Sequence, residues 1–527
     1  MSTTTPIFPF HIIDPRAQVP SDARGWSAYL NSDNWDDWGK YCTQFYLTIV
    51  DQEGGQRCIG FLKIGQRGLK PQGQGPLPDG YRKPNVPSSF EQLDDDFFSV
   101  GQDEEYYTNI SALGDEVRDL VLSCLHDVAW DKERWEWAKD EDVMGESLLR
   151  SVTRSTVDGQ FRRMAHGDAR VTSYEFAYSP PKRLGDGAPP FTLNFSVDPE
   201  SPIPTNVHVL IGRNGVGKTR LLSLMTKALV ASDASASQSG KFELSEHGSH
   251  SGSFANVVAV SFSAFDETDL LPDRNPATDA LGLSYIGLRG WSSKSTTESI
   301  KPKSPTVLAS EFVNSLSECC IGGRLKRWVD VITTLQTDPV FRAAQLTSMI
   351  EANFSSKGGR EAVLETFRSL SSGHKIVLLT LTRLVEKVEE RTLILIDEPE
   401  AHLHPPLLSA MTRAISELMV KRNGVAIVAT HSPVILQEVP KSCVWILDYF
   451  QTVSKAERPT VETFAESVGI LSREVFQLEL SQSGFHQLLG DLRKRSASYE
   501  EALDQLKGQL GAEGKAVLRG MFLDEKE

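Results

Sequence analysis

Two short apolar runs, Phe45 to Val50 and Ile59 to Ile64, flank the polar segment Asp51-Gln52-Glu53-Gly54-Gly55. Runs of this length around a Gly-containing turn predict a β-hairpin. A Gly- and Pro-rich stretch from Gly68 to Pro87 then interrupts regular structure. Beyond it the spacing changes. Leu113, Val117, Leu120, Val121, Leu125 and Val128 recur at helical intervals and predict one amphipathic helix over Ile110 to Trp130. Alternation with a period of two returns in Thr172 to Tyr178 and Phe191 to Val197, followed by the wholly apolar strand Val207 to Ile211. From there strands and helices take turns: a helix at Leu221 to Val230, a strand at Val257 to Phe262 and a long helical region from about Ser310. A strand at Leu393 to Ile396, a helix at Leu407 to Val420 and a strand at Val425 to Ala429 complete the series. Such alternation predicts an α/β domain whose largely parallel sheet is flanked by helices.

A chain of 527 residues exceeds what one hydrophobic core usually serves. The changes of pattern divide it into an α+β region over residues 1–168, an α/β domain over 169–453 and a helical tail over 454–527. A helical lobe is expected inside the middle domain at about 310–375. In the tail, Val475, Leu478, Leu480, Phe485, Leu488, Leu489 and Leu492 suit helices that pack on the core or dock a partner. Two Ser- and Gly-rich segments, Ser232 to Ser253 and Gly287 to Pro305, read as surface excursions. His247 and His250, in the first, are expected to be solvent-exposed rather than a metal pair.

Composition narrows the class. With 40% hydrophobic and 24% charged residues the chain is an ordinary globular one. The formal charge of -15 excludes a uniformly basic protein that coats nucleic acid. DNA contact would need a local basic patch, for which Arg324, Lys326, Arg327 and the stretch Arg289 to Lys303 are the candidates. The acidic runs Asp94 to Asp96 and Asp103 to Glu105 read as solvated faces. Six cysteines without CxxC spacing read as reduced thiols. The N-terminal residues have no basic run, and no apolar run approaches the ~18 residues of a membrane span, so no membrane association and a cytoplasmic location are expected.

The segment Gly212-Arg213-Asn214-Gly215-Val216-Gly217-Lys218-Thr219 fits GxxxxGK[ST] and lies between a predicted strand and a predicted helix. Glycines let the backbone curl so that N–H groups converge on phosphate oxygens, and the helix presents its positive end to the same anion. Lys218 adds a point charge, Thr219 a hydroxyl for Mg²⁺, and Arg220 continues the binding segment. Downstream, the buried strand Leu393 to Ile396 ends in Asp397-Glu398. Asp397 is expected to hold Mg²⁺ and Glu398 to orient and polarise the attacking water. These are the two halves of an ATP site.

Between them lies Leu370-Ser371-Ser372-Gly373-His374-Lys375, which by itself is a helix N-cap. After the next strand comes Ala429-Thr430-His431-Ser432-Pro433. The order of phosphate loop, Ser-Ser-Gly helix start, acidic strand and histidine resembles that of ABC-type ATPases. The resemblance implies an α/β P-loop ATPase with a mixed sheet and a helical signature lobe. Ser371, Ser372 and Gly373 would then bind the γ-phosphate of nucleotide held by a second copy, through the charge of the helix end. His431 would contact the γ-phosphate or the attacking water.

The string Asp397-Glu398-Pro399-Glu400-Ala401-His402-Leu403-His404-Pro405 looks like that of SMC-like and OLD-type ATPases. The usual glutamine after the third strand is absent, leaving Ser263 or Asp266 to take its place. A structural role is expected for His402 and His404 over metal ligation. The interval from Thr219 to Leu370 is too short for a long coiled coil, and the tail too short for a Toprim nuclease. Over most of its length the chain resembles stand-alone ATPases of Septu-type and retron-associated anti-phage defence. That implies a homodimer or higher homo-oligomer which regulates a separate HNH-type nuclease. The alternative is a DNA-repair clamp that binds DNA itself.

Overall fold

The computed structural model describes residues 8–33, 39–71, 82–167, 173–181, 191–230, 236–245, 254–262, 271–274, 281–292, 299–320, 324–354, 356–401, 403–450, 453–482 and 484–523. The N-terminal sheet is built from β1 (Phe10–Ile13), β2 (Ser27–Ser32), β3 (Gln44–Val50), β4 (Gln56–Gln66), β5 (Ser89–Phe90) and β6 (Phe97–Gly101), in the order β5-β1-β2-β3-β4-β6. The predicted hairpin is β3 and β4, antiparallel, with Val50 opposite Gln56. Where one helix was expected over 110–130 there are two, Glu104–Ser111 and Asp115–Cys124. Gly114 stands between them at φ 95, a conformation that stops a helix and is open to glycine. Ile110, Val121, Leu122, Leu125 and Val128 still share one buried core. Helical spacing therefore reports the common face and not the break.

The next strands are β7 (Tyr174–Ser179), β8 (Leu193–Val197), β9 (Val207–Gly212), β10 (Lys241–Ser245), β11 (Asn256–Ser261) and β12 (Gly282–Gly287). β13 (Arg289–Ser292), β14 (Ser299–Pro302), β15 (Thr392–Asp397), β16 (Val425–Thr430), β17 (Val444–Phe450) and β18 (Val453–Glu457) follow. The main sheet has the order β12-β11-β15-β16-β9-β17-β18. Its neighbours are parallel except β17 and β18. Side chains alternate across β15: Ile394 and Ile396 enter one core, and Leu393 and Leu395 the opposite one. The first core holds Phe312, Trp328 and Leu381 of the helical lobe and Met411 of the helix Pro405–Lys421. The second holds Leu222 and Met225 of the helix Lys218–Val230 and Phe176 and Phe195 of a smaller sheet, β10-β7-β8. Burial on both faces explains why these strands read as continuous apolar runs. Each such Leu or Ile removed from water contributes about 1.5–3 kcal/mol.

Both expected excursions contain structure. β10 lies in the first and pairs with β7, while β13 and β14 form an antiparallel hairpin in the second. These strands are four or five residues long, so the Ser- and Gly-rich composition around them conceals apolar positions such as Phe242, which packs on the second core. β18 runs across the expected start of the tail at residue 454, and the helices Val468–Gln482, Phe485–Arg495, Tyr499–Gln505 and Ala512–Leu523 follow. Leu471 is buried in the main core and Val475 packs against it, whereas Leu489 joins Ala502 and Leu518 in a small core of the tail's own. Phe485 and Leu488 are exposed. The side chains of Leu478 and Leu480 lie outside the described set.

The acidic segment 103–105 is not a solvated face, and Arg324, Lys326 and Arg327 are not a free basic one. Asp103 is buried and caps its helix, accepting from the Tyr106 N–H at 2.9 Å. Glu104 accepts from Arg422 at 3.1 Å, and Glu105 pairs with Lys326. Arg324 donates to the Ser151 carbonyl at 3.0 Å and lies 3.9 Å from Glu389. Burial, with Arg422 nearby, pushes the Arg327 guanidinium down to about 10. Charges that look separate in sequence compensate one another across the junction of the N-terminal region with the helical lobe. Lys303, in the other proposed basic stretch, pairs with Glu311 at 2.9 Å.

Candidate functional site

β9 delivers the chain to the phosphate loop at the edge of a buried, parallel sheet. Gly212 pairs with Leu447 of β17, and a Cβ there would come within 2.2 Å of the Leu447 carbonyl oxygen, so the neighbouring strand fixes that glycine. Gly215 and Gly217 have φ of 83 and 94, which L side chains rarely adopt. The helix Lys218–Val230 starts at once and aims its positive end at the loop. Lys218 is 4% exposed, and its Nζ donates to the carbonyls of Gly212 and Arg213 at 3.0 and 3.1 Å. Burial pushes this ammonium below its ordinary value, against the pull of the Glu398, Glu400 and Asp397 carboxylates.

β15 brings the carboxylates to the same edge. A cleft of about 690 Å³ is lined by Asn214, Gly215, Gly217, Lys218, Thr219, Arg220, Glu398 and His431, among others. Gly212, Arg213 and Val216 complete the loop without lining it. Thr219 also lines, together with Asp397, a smaller cavity of about 80 Å³. A hydroxyl and a carboxylate are the hard oxygen donors that Mg²⁺ prefers, so these two residues fit that ion. Glu398 stands at φ 46, a strained conformation for a non-glycine residue, and its N–H donates to the Ala429 carbonyl at 2.9 Å. The bond across to β16 holds the strained residue where the sheet opens into the cleft.

The signature segment starts the helix Ser372–Lys387. The Ser371 side chain caps it, accepting from the His374 N–H at 3.4 Å. Ser371 and Ser372 are exposed, Gly373 is buried beneath them, and none of the three lines the cleft of its own chain. His374 Nε2 lies 3.3 Å from Asp338 Oδ1, and His404 Nε2 lies 3.7 Å from Asp338 Oδ2. His404 also caps the helix Pro405–Lys421 by accepting from the Leu407 N–H at 3.2 Å. Asp338 thus ties the signature helix to the segment that follows Glu398. Among the described residues no three or more His, Cys, Asp or Glu side chains form a metal-binding group. His247, His250, Ser263, Asp266 and His402 lie outside the described residues.

Almost the whole chain aligns with Protein ea59 of Escherichia phage lambda, 36% identical over 539 residues, covering 98% of this chain and 99% of the phage protein. The chain belongs to the Ea59 family. Residues 348–437 match a family described as "AAA domain, putative AbiEii toxin, Type IV TA system". Among solved structures, the ADP conformation of an ATP-binding cassette of an ABC transporter aligns with 58% of this chain and 98% of its own, at 14% identity and a TM-score of 0.30. UvrA2 from Deinococcus radiodurans aligns with 52% of this chain and 35% of its own, at 14% identity and a TM-score of 0.26. In this Ea59-family chain the strand, Gly-rich loop and helix of residues 207–230, set in a largely parallel sheet covered by helices, form a P-loop α/β domain. No helix among its described residues is long and apolar enough to cross a membrane.

Two parts of the site escape sequence reasoning. Glu400 sits behind Glu398 and is 11% exposed on its side chain against 35% for Glu398. Its Oε1 accepts from the Thr430 hydroxyl at 2.6 Å and from the His431 N–H at 2.8 Å. The second part is the foot of β15. Glu389 accepts from the hydroxyls of Thr153 and Thr156 at 2.6 and 2.7 Å, and Glu390 pairs with Arg163. The N-terminal region of this Ea59-family chain thereby grips the strand that carries Asp397. The spacing Asp-Glu-Pro-Glu is the signal that points to Glu400; the grip at 389–390 leaves none, because its partners lie more than 200 positions away in the chain.

Proposed function

We propose that this Ea59-family chain binds and hydrolyses ATP with Mg²⁺, closing head-to-tail on a second copy. The observation that carries the reading is the convergence of Lys218, Glu398 and His431 on one cleft, with Thr219 and Asp397 in the cavity beside it. Residues 212–220 hold the phosphates. Thr219 and Asp397 would hold the ion, which would supply positive charge to offset that of the phosphates. Glu398 orients and polarises the attacking water, and His431 senses the γ-phosphate or that water. Ser371 and Ser372, exposed at a helix start and outside the lining of the chain's own cleft, serve the nucleotide of the second copy.

The destination of the ATPase cycle, in the same proposal, is a separate HNH-type nuclease, in defence against phage infection. Resemblance of the four motifs to stand-alone defence ATPases supports that setting, and a full-length relative from a phage is compatible with it. Arg324 lies beside Glu389 and Lys326 pairs with Glu105, so these two candidates for direct DNA binding are partly neutralised within the chain, and the nuclease-regulating reading stands ahead of the DNA clamp. Phosphate release by the purified chain tests the ATPase: it should require Mg²⁺ and exceed that of Lys218→Ala. Equal release by the two proteins would sink the reading. Metal-dependent DNA cleavage by the purified chain, retained in Glu398→Gln, would overturn the separate nuclease.

A further inference from the structure

His431 faces two carboxylates, and they are not equivalent. Its Nδ1 lies 3.2 Å from Glu400 Oε1 and 3.8 Å from Glu398 Oε1. The nearer carboxylate is also the more enclosed, and its Oε1 is already held by two donors of the same turn, the Thr430 hydroxyl and the His431 backbone N–H. Thr430 in turn accepts from the Ser432 N–H at 2.9 Å, so the segment 430–432 is folded around the Glu400 side chain. The other oxygen, Oε2, is buried and has no hydrogen-bond partner among the described residues. The imidazole Nδ1 faces the Oε1 side of this carboxylate, where a proton on Nδ1 adds a third donor to the two already there.

We propose that Glu400 is the positioning residue of His431. Its carboxylate keeps the proton on Nδ1, fixes the ring, and leaves Nε2 as the nitrogen turned to the cleft. A carboxylate behind a working histidine sets its tautomer and orientation in this way on unrelated folds. Glu400 does a second thing by the same contact. By engaging Nδ1 it keeps His431 from pairing with Glu398, whose carboxylate stays free for water. The strain at Glu398, φ 46, and the two donors on Glu400 then act together: the turn from 398 to 400 sends the first carboxylate to the cleft and the second to the histidine. This inference rests on the ATPase reading of the cleft.

The test is steady-state phosphate release against ATP concentration for the wild type, Glu400→Ala, Glu400→Gln, His431→Ala and the double variant Glu400→Ala/His431→Ala. Glu400→Ala should lower kcat by about 10- to 100-fold, the cost usual when a carboxylate that orients a histidine is removed, with KM changed less than about threefold. Glu400→Gln, which keeps an acceptor for Thr430 and the His431 N–H, should recover part of that loss. In the His431→Ala background Glu400→Ala should do nothing further to kcat, since a residue that acts through His431 has nothing left to position. A purely structural role would instead multiply the two losses, and that outcome, or an unchanged kcat in Glu400→Ala, overturns the proposal. If Glu400→Ala loses its thermal transition, Glu400→Gln/His431→Ala against His431→Ala decides by the same criterion. A wild type that releases no phosphate sinks the ATPase reading instead, which the first curve shows before any variant is compared.

Discussion

Glu398→Gln should bind ATP as the wild type does and hydrolyse it at least about 100-fold more slowly, at the lower end of what a positioned general base contributes. The amide keeps the length and shape of the side chain, and the strained backbone is held by the bond from its own N–H to Ala429, which the substitution does not touch. What changes is the ability to accept a proton from water. With hydrolysis blocked and phosphate contacts intact, the closed, nucleotide-bound pair of chains should accumulate on gel filtration with ATP and Mg²⁺. Normal single-turnover hydrolysis by this variant would remove Glu398 from the catalytic role.

Lys218→Ala should act on binding rather than on chemistry. Charge-assisted hydrogen bonds contribute about 1.5–3 kcal/mol each, so losing the ammonium should weaken ATP by about 100-fold or more. The fold should survive, because among the described residues the Lys218 ammonium bonds only to carbonyls of its own loop, Gly212 and Arg213. Ligand binding stabilises the native state by mass action, so ATP should raise the melting temperature of the wild type and leave that of Lys218→Ala unmoved. An undiminished ATP-induced shift in Lys218→Ala would show that the nucleotide sits elsewhere.

The parts legible in sequence are those whose signal is local. β9, β11, β15 and β16 are buried on both faces and read as apolar runs; the phosphate loop needs glycines at Gly215 and Gly217 because the backbone turns left-handed there. The parts that stay hidden depend on partners far along the chain. β10 alternates Phe242 and Leu244 with polar residues, but five residues inside a Ser- and Gly-rich stretch are too short a signal until β7 pairs with them. Asp103 and Glu104 look like solvent-facing charges until the fold buries the first as a helix cap and pairs the second with Arg422. Gly114 breaks a helix whose apolar spacing continues across the break, and periodicity does not register that. Glu400 meets Thr430 and His431 only once β15 and β16 lie side by side.

Sharing of each ATP site between two copies is the central claim, and complementation in mixed dimers measures it most directly. Lys218→Ala removes the phosphate grip of one copy. Ser372→Glu puts bulk and negative charge at an exposed position of the signature helix, where the γ-phosphate of the other copy should lie. A mixed pair of these variants has one site with both defects and one with neither. Each variant alone should be nearly inactive, and an equimolar mixture allowed to exchange should regain about a quarter of wild-type phosphate release, from half the dimers working at one site of two. A mixture no more active than its parents, with mixed dimers demonstrated, would contradict the shared site.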